Sequence, residues 1–285
     1  MATDLRITSS DDVELAVHDY NPDSLAHPVL LSHATGFHGR VFDPIARELI
    51  ASHHCITFDY RGSGDSTLPF DWNVRWAAFG DDALAAARYA ANGGAVIGLG
   101  HSMGGTALVM AALREPKLFK AIILFEPIIF PTQQPEPSSD PNNDRNFLAE
   151  GARRRRTTFA SFDDARANYG AKPPLNTLHP EALSAYVNFG FRQQQDGTVI
   201  LKCSPEYEAR TYDSGALHNT WDHLASLAVP TWVISGENDG PALIAPLIAA
   251  EIPGSQFIKY GDLGHFGPMQ DPQRFAELIR KVQSI

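Results

Sequence analysis

Two cysteines in 285 residues, Cys55 and Cys203, are too few for a disulfide framework or a thiolate zinc site. No run approaches the roughly 18 apolar residues that a membrane-spanning helix needs. The opening Met1-Ala2-Thr3-Asp4-Leu5-Arg6 lacks the apolar core of a secretory leader. These absences point to a cytoplasmic protein. The 11 histidines show no H-E-x-x-H or related spacing, so no metal is expected. Gly62-Ser63-Gly64 falls short of the glycine-rich nucleotide fingerprints, and no cofactor is expected either. Basic residues are outnumbered 23 to 33, giving a formal charge of −10. Such a balance disfavours nucleic acid and anionic membranes as partners and leaves a small-molecule substrate. Nothing in the chain marks an oligomeric state, and no internal repeat or extended low-complexity segment is present.

What is there reads as an ordinary globular enzyme, 44% hydrophobic and 20% charged. Short apolar runs alternate with helical patterns. Strands are predicted at 29–33, 55–59, 95–100 and 120–125, and helices at 41–52, 76–91 and 106–114. Continuous apolar runs of this kind are buried parallel strands, and βα alternation covers both faces of a sheet with helices. Two earlier segments, 5–9 and 13–20, alternate polar and apolar residues, which suits an antiparallel edge. From Pro131 to about Asn219 the alternation stops. A Pro-rich stretch opens this region, helix-like segments follow at 146–159 and 181–189, and no buried parallel strand is evident. The alternation resumes with strands at 230–235 and 256–260 and helices at 243–251 and 273–283. The simplest organisation is a core of residues 1–130 and 220–285, interrupted by a helical cap at 131–219.

The chemistry centres on Gly100-His101-Ser102-Met103-Gly104-Gly105, a G-x-S-x-G match between a predicted strand and a predicted helix. Small residues on both sides let the backbone turn sharply and lift the serine hydroxyl clear of the sheet. Here the chain resembles the α/β-hydrolase family over nearly everything outside the insertion. The resemblance implies an α/β fold with a mostly parallel eight-stranded sheet, helices on both faces and an inserted helical cap. It also implies a nucleophile–acid–histidine order, which Ser102, Asp239 and His265 follow. Asp239 and His265 both lie in loops after predicted strands, where open α/β sheets place their sites. A serine hydroxyl is a weak nucleophile, so an imidazole must take its proton and a carboxylate must orient that imidazole.

Three carboxylates compete for the last role. Asp239 is preferred on the family spacing. Glu126, at the end of a strand, is the alternative acid, as in a minority of relatives, and Glu237 ranks third. His33-Ala34-Thr35-Gly36-Phe37 stands where the family often has His-Gly and an oxyanion-hole residue. That implies Thr35 and Met103 as the two N–H donors for a tetrahedral oxyanion. Ala34 departs from the family's usual glycine, and His33 reads as a support for the loop.

Asp59-Tyr60-Arg61-Gly62-Ser63-Gly64-Asp65-Ser66 resembles the family's D-x-R-G-x-G-x-S segment. It reads as architectural, with Asp59 and Arg61 placed to pair locally. Arg153 to Arg156 could grip an anionic substrate, but four consecutive arginines on a helix would spread around its faces, mostly into solvent. The aromatics Trp72, Trp76, Phe130, Tyr169, Tyr186, Phe189, Phe191 and Phe266 read as packing residues, some of them facing the pocket. The function implied is hydrolysis of a carboxylic ester or related acyl compound by a Ser-His-Asp triad. Lactone or carbon–carbon bond hydrolysis, cofactor-free perhydrolysis and a hydrolase-like ligand receptor stay open as alternatives.

Overall fold

The computed structural model describes residues 2–69, 73–132, 146–237 and 240–284. The first half runs β1 (Thr3–Thr8), β2 (Glu14–Asp19), β3 (His27–Ser32), α1 (Asp43–Leu49), β4 (His53–Phe58), α2 (Trp76–Ala91), β5 (Val96–His101), α3 (Met103–Arg114) and β6 (Phe119–Phe125). An insertion follows, with α4 (Phe147–Arg153), β7 (Thr158–Phe159), α5 (Phe162–Gly170), α6 (Pro180–Gly190), β8 (Phe191–Gln193), β9 (Val199–Leu201) and α7 (Pro205–Asp213). The chain then returns through β10 (Thr231–Ser235), α8 (Ala245–Glu251), β11 (Gln256–Lys259), α9 (Gly267–Gln270) and α10 (Pro272–Gln283).

Eight strands form one sheet in the order β1-β2-β4-β3-β5-β6-β10-β11. The β1–β2 and β2–β4 pairs are antiparallel and all the others parallel, so the alternating segments do form an antiparallel edge. Successive strand residues face opposite sides, and here both sides are apolar. Leu30, Ile56, Leu124 and Val233 enter one core layer, while Val29, Leu31, Ile123 and Phe125 enter the other. Helices cover both layers, which is why the central strands show no polar alternation. In α2 the buried face includes Ala83, Ala86, Ala87 and Ala90, and such small side chains let it lie close to its neighbours.

The insertion is not wholly helical. Beside its helices, its described residues contain a three-stranded antiparallel sheet, ordered β7-β9-β8. Two- and three-residue strands leave too short a period to be read against the helical segments around them. The helix expected over 146–159 ends at Arg153, so Arg154 to Arg156 lie beyond it. No helix among the described residues is long and apolar enough to cross a membrane.

The Asp59–Ser66 loop is built differently from expectation. Arg61 does not pair with Asp59; its buried guanidinium meets Asp82 Oδ1 at 2.7 Å and Oδ2 at 2.8 Å, and Asp11 Oδ2 at 2.8 Å. Asp59 instead accepts from the backbone N–H groups of Gly39 at 2.7 Å and Asp65 at 2.8 Å. Burial alone would raise the Asp59 carboxyl, but the hydrogen bond and charge of His18 outweigh it and hold the group well below the usual range. The Arg61 contacts with Asp82 and Asp11 and the Asp59 contact with Gly39 bridge segments distant in sequence, so local spacing could not reveal them. Removing one member of a buried pair leaves an uncompensated charge. Asp82→Ala is therefore expected to cost about 3–5 kcal/mol in urea denaturation. Asp11→Ala, at the partly exposed end of the same cluster, should cost about 1 kcal/mol or less. Equal losses would show that the Asp82 pair carries no special weight.

Candidate active site

Ser102 stands between β5 and α3 with φ 56° and ψ −120°, a conformation a non-glycine residue rarely takes. Two glycines make it possible. A Cβ on Gly100 would stand 2.6 Å from Gly105 Cα, and one on Gly104 only 2.3 Å from the Ser32 carbonyl oxygen. The chain thus closes the strand-to-helix turn against itself and against β3. The Ser102 N–H donates to the Phe125 carbonyl at 2.9 Å, fixing the turn to the neighbouring strand. Among the described residues the Ser102 hydroxyl has no hydrogen-bond partner, and the side chain is mostly buried.

One residue past Phe125, Glu126 also has a positive φ, 46°, and is fully buried. Its Oε1 accepts from the Gly236 N–H at 2.7 Å, and its Oε2 lies 2.5 Å from His265 Nδ1. A buried carboxylate held by a backbone donor and an imidazole satisfies the rule that buried charge must be paired. The bond also sets the tautomer. His265 carries its proton on Nδ1 and presents Nε2 as an acceptor. Asp239, the acid preferred from sequence, lies outside the described residues. Glu237 is exposed, and no described contact joins it to His265.

His101, the residue before Ser102, supplies a contact that sequence reasoning missed. Its Nε2 donates to the His265 carbonyl oxygen at 2.7 Å, and the two rings lie 4.9 Å apart. Complete burial, with the neighbouring His265 adding to it, keeps the His101 imidazole neutral, well below the usual histidine range. The G-x-S-x-G pattern leaves its second position free, so the motif carried no sign of this role.

Thr35 and Met103 are both buried near this turn. Met103 opens α3, so its N–H belongs to the first turn, where the helix supplies no acceptor. The Thr35 loop is held by His33, whose Nδ1 donates to the Ala34 carbonyl at 2.8 Å while its Nε2 accepts from the Tyr60 N–H at 3.0 Å. That arrangement requires neutral imidazole, and burial depresses His33 to about 4. His38, further along the loop, donates to the Tyr186 carbonyl at 3.1 Å and is depressed by burial to about 4 as well.

The insertion lies against this loop and against the Asp59–Ser66 loop. Phe37 packs on Tyr186 and on Phe266, with centroids 5.2 and 5.4 Å away, and Tyr207 donates its hydroxyl to the Arg61 carbonyl at 2.6 Å. Trp76, by contrast, stacks on His218 at 4.8 Å, and Trp72 lies outside the described residues. The four arginines are paired within the protein. Arg153 meets Glu206 and Asp213, Arg154 meets Glu150, and Arg156 meets Asp164. Arg155 is the exception to the solvated reading, mostly buried among Glu208, Tyr169 and Tyr186. Among the described residues no group of histidine, cysteine and acidic side chains could hold a metal ion, and both cysteines are buried and free.

The alpha/beta hydrolase family model matches residues 29–278. The chain belongs to that family. Its fold is that of many solved alpha/beta hydrolases. An E-2-(acetamidomethylene)succinate hydrolase is 18% identical with a TM-score of 0.82, covering 100% of each chain. A thioesterase domain from the curacin biosynthetic pathway is 18% identical with a TM-score of 0.76, over 98% of this chain and 99% of that one. A thermophilic esterase from Thermogutta terrifontis is 24% identical with a TM-score of 0.69, over 99% of this chain and 98% of the other. No curated protein sequence matches the chain.

The neutral histidines of this alpha/beta hydrolase impose a pH dependence on its stability. A histidine whose folded pKa is depressed binds fewer protons folded than unfolded, so stability is lost as pH falls from about 6.5 toward 4. Denaturation with urea at pH 7.0 and 5.0 should show a loss on the order of 2–4 kcal/mol from His33 and His38 together. His38→Gln should flatten that slope, and an unchanged slope would remove His38 from the account.

Proposed function

We propose that this chain hydrolyses a carboxylic ester or related acyl compound through an acyl-enzyme, with Ser102 as nucleophile, His265 as general base and Glu126 as the acid. The observation that carries the reading is the 2.5 Å contact between Glu126 Oε2 and His265 Nδ1, on the strand next to the strained Ser102 turn. It favours Glu126 over Asp239 for the third role.

The steps follow from the groups present. Ser102 Oγ attacks the substrate carbonyl while His265 Nε2 accepts its proton. Imidazolium forms, and Glu126 stabilises it without moving a proton of its own. The carbonyl oxygen gains charge and is held by the N–H groups of Thr35 and Met103, each donor being worth roughly 10²–10³ in rate. His265 then returns the proton to the leaving oxygen. In the second half-reaction a water gives a proton to His265 and attacks the acyl group, which releases the acid and restores Ser102. The free hydroxyl of Ser102 fits an unliganded site, because nucleophile–base hydrogen bonds often close only when substrate arrives. His101 holds the His265 loop and serves as a positioning residue. The insertion acts as the cap, packed on the oxyanion loop through Tyr186 and on the Asp59–Ser66 loop through Tyr207, where it shapes the acyl pocket and keeps water out.

A fluorophosphonate should label the wild-type protein, and Ser102→Ala should abolish both labelling and turnover of a p-nitrophenyl ester. Glu126→Gln should lower kcat by about 10⁴, the loss seen when the orienting aspartate of another serine hydrolase is neutralised. Asp239→Asn should retain most of the activity. Kinetics of both variants on one ester at pH 7–8 decide the matter. A crippled Asp239→Asn beside an active Glu126→Gln would return the acid to Asp239.

A further inference from the structure

Arg155 and Glu208 form a mostly buried ion pair inside the insertion. The guanidinium is committed, meeting Glu208 Oε2 on one nitrogen and the hydroxyls of Tyr169 and Tyr186 on another. The carboxylate is not. Among the described residues Glu208 Oε1 has no hydrogen-bond donor, although only 7% of the side chain is exposed. That oxygen faces the oxyanion loop, close enough that a Cβ on Gly36 would stand 2.6 Å from it. Between them lies a cavity of about 10 Å³ bordered by Thr35, Gly36, Met103, Tyr207 and Glu208. Such a space holds one water-sized group.

A carboxylate oxygen with no protein donor and only a narrow opening toward that cavity is available to a donor on a ligand that reaches it. Arg155 cannot supply it, because its fork is turned to Oε2 and the two tyrosines. Thr35 and Met103 border the same space, and their N–H groups are the proposed holders of the reacting carbonyl. A hydroxyl or N–H on the carbon next to that carbonyl lies within one hydrogen-bond length of the carbonyl oxygen. The cavity is of the size to take it, and Glu208 Oε1 is positioned to accept its hydrogen.

Resting on the Ser102 reading above, we infer that Glu208 is a specificity-determining residue that selects acyl groups bearing a hydrogen-bond donor beside the carbonyl, such as 2-hydroxyacyl or 2-amidoacyl esters. Its charge makes the hydrogen bond a strong one, and its burial makes the lack of a donor expensive. Arg155 is a positioning residue for Glu208. It fixes the direction of the carboxylate and offsets its charge, so that the negative oxygen forming at Thr35 and Met103 is not opposed.

The test compares p-nitrophenyl esters of a 2-hydroxy acid, its 2-deoxy analogue and its 2-methoxy analogue. In wild type the hydroxy ester should lead both others by roughly 10–100-fold in kcat/KM, the range of a charge-assisted hydrogen bond. The methoxy ester separates donation from mere polarity, since it can accept but not donate. Glu208→Gln keeps the side-chain volume and a carbonyl for Arg155, and should shrink the lead to about threefold or less. Equal kcat/KM for the three esters in wild type would mean that only a water meets Glu208, and would overturn the inference. So would a lead that survives Glu208→Gln undiminished. The wild-type series decides even where the variant does not fold. A failure of the Ser102 reading looks different, because wild type and Ser102→Ala would then turn over all three esters alike.

Discussion

A single backbone hydrogen bond, from the Ser102 N–H to the Phe125 carbonyl, ties together the two strained turns on which the rest of the site depends. It joins the ends of β5 and β6, where His101 is in register with Phe125. The next residue on each strand, Ser102 and Glu126, turns into the left-handed region. One such residue is a local oddity. Two on neighbouring strands, joined by a main-chain bond, form a platform that aims two side chains out of the sheet. The strain, of order 1–3 kcal/mol at each position, is sustained by the packing of glycine backbones around Ser102 and by the saturated contacts of Glu126.

Buried polar groups shape the surrounding loops in the same way. His33 spans two loops by donating from one ring nitrogen and accepting at the other. Asp59 gathers the Gly39 and Asp65 amides, and Arg61 anchors its loop to α2 through Asp82. The His33–Tyr60, Asp59–Gly39 and Arg61–Asp82 contacts join segments far apart in the chain, and each replaces water that burial removed. The loops around the site are thus pinned by buried polar groups that find their hydrogen bonds within the protein.

Much of this was legible in advance because parallel strands are nearly uniform apolar runs and Gly100-x-Ser102-x-Gly104 is a steric requirement written in residue types. Trp76–Ala91 and the paired edge strands emerged with their expected extents to within a few residues. The small sheet of the insertion was not legible, since its strands are too short to show a period. Nor were the contacts of Glu126 and His101 with His265, or of Arg61 with Asp82. The first two depend on which strand ends lie side by side and the third on how α2 packs beside the Arg61 loop, and neither follows from spacing along the chain. Glu126 was visible as a carboxylate at a strand end before Pro127, but nothing local set it above Asp239.

The two hydrogen bonds that surround Glu126 have a bearing on how this architecture can vary. Its backbone N–H donates to the Ile234 carbonyl at 3.0 Å, and its carboxylate receives the Gly236 N–H at 2.7 Å. The chain leaves the sheet after Phe125, at the end of β6, and re-enters it at Thr231 beside Ile122. Glu126 then ties the far end of β10 and the His265 loop to the point of departure. Such an excursion is a plug-in module. Its length, its mix of helix and strand and its inner surface can be exchanged while the socket keeps its shape. The residue that closes the socket is also the one hydrogen-bonded to His265, so an exchange that broke the seam would disturb that contact as well. Diversification of the module is thereby restricted to versions that seat correctly, whatever molecules they come to admit.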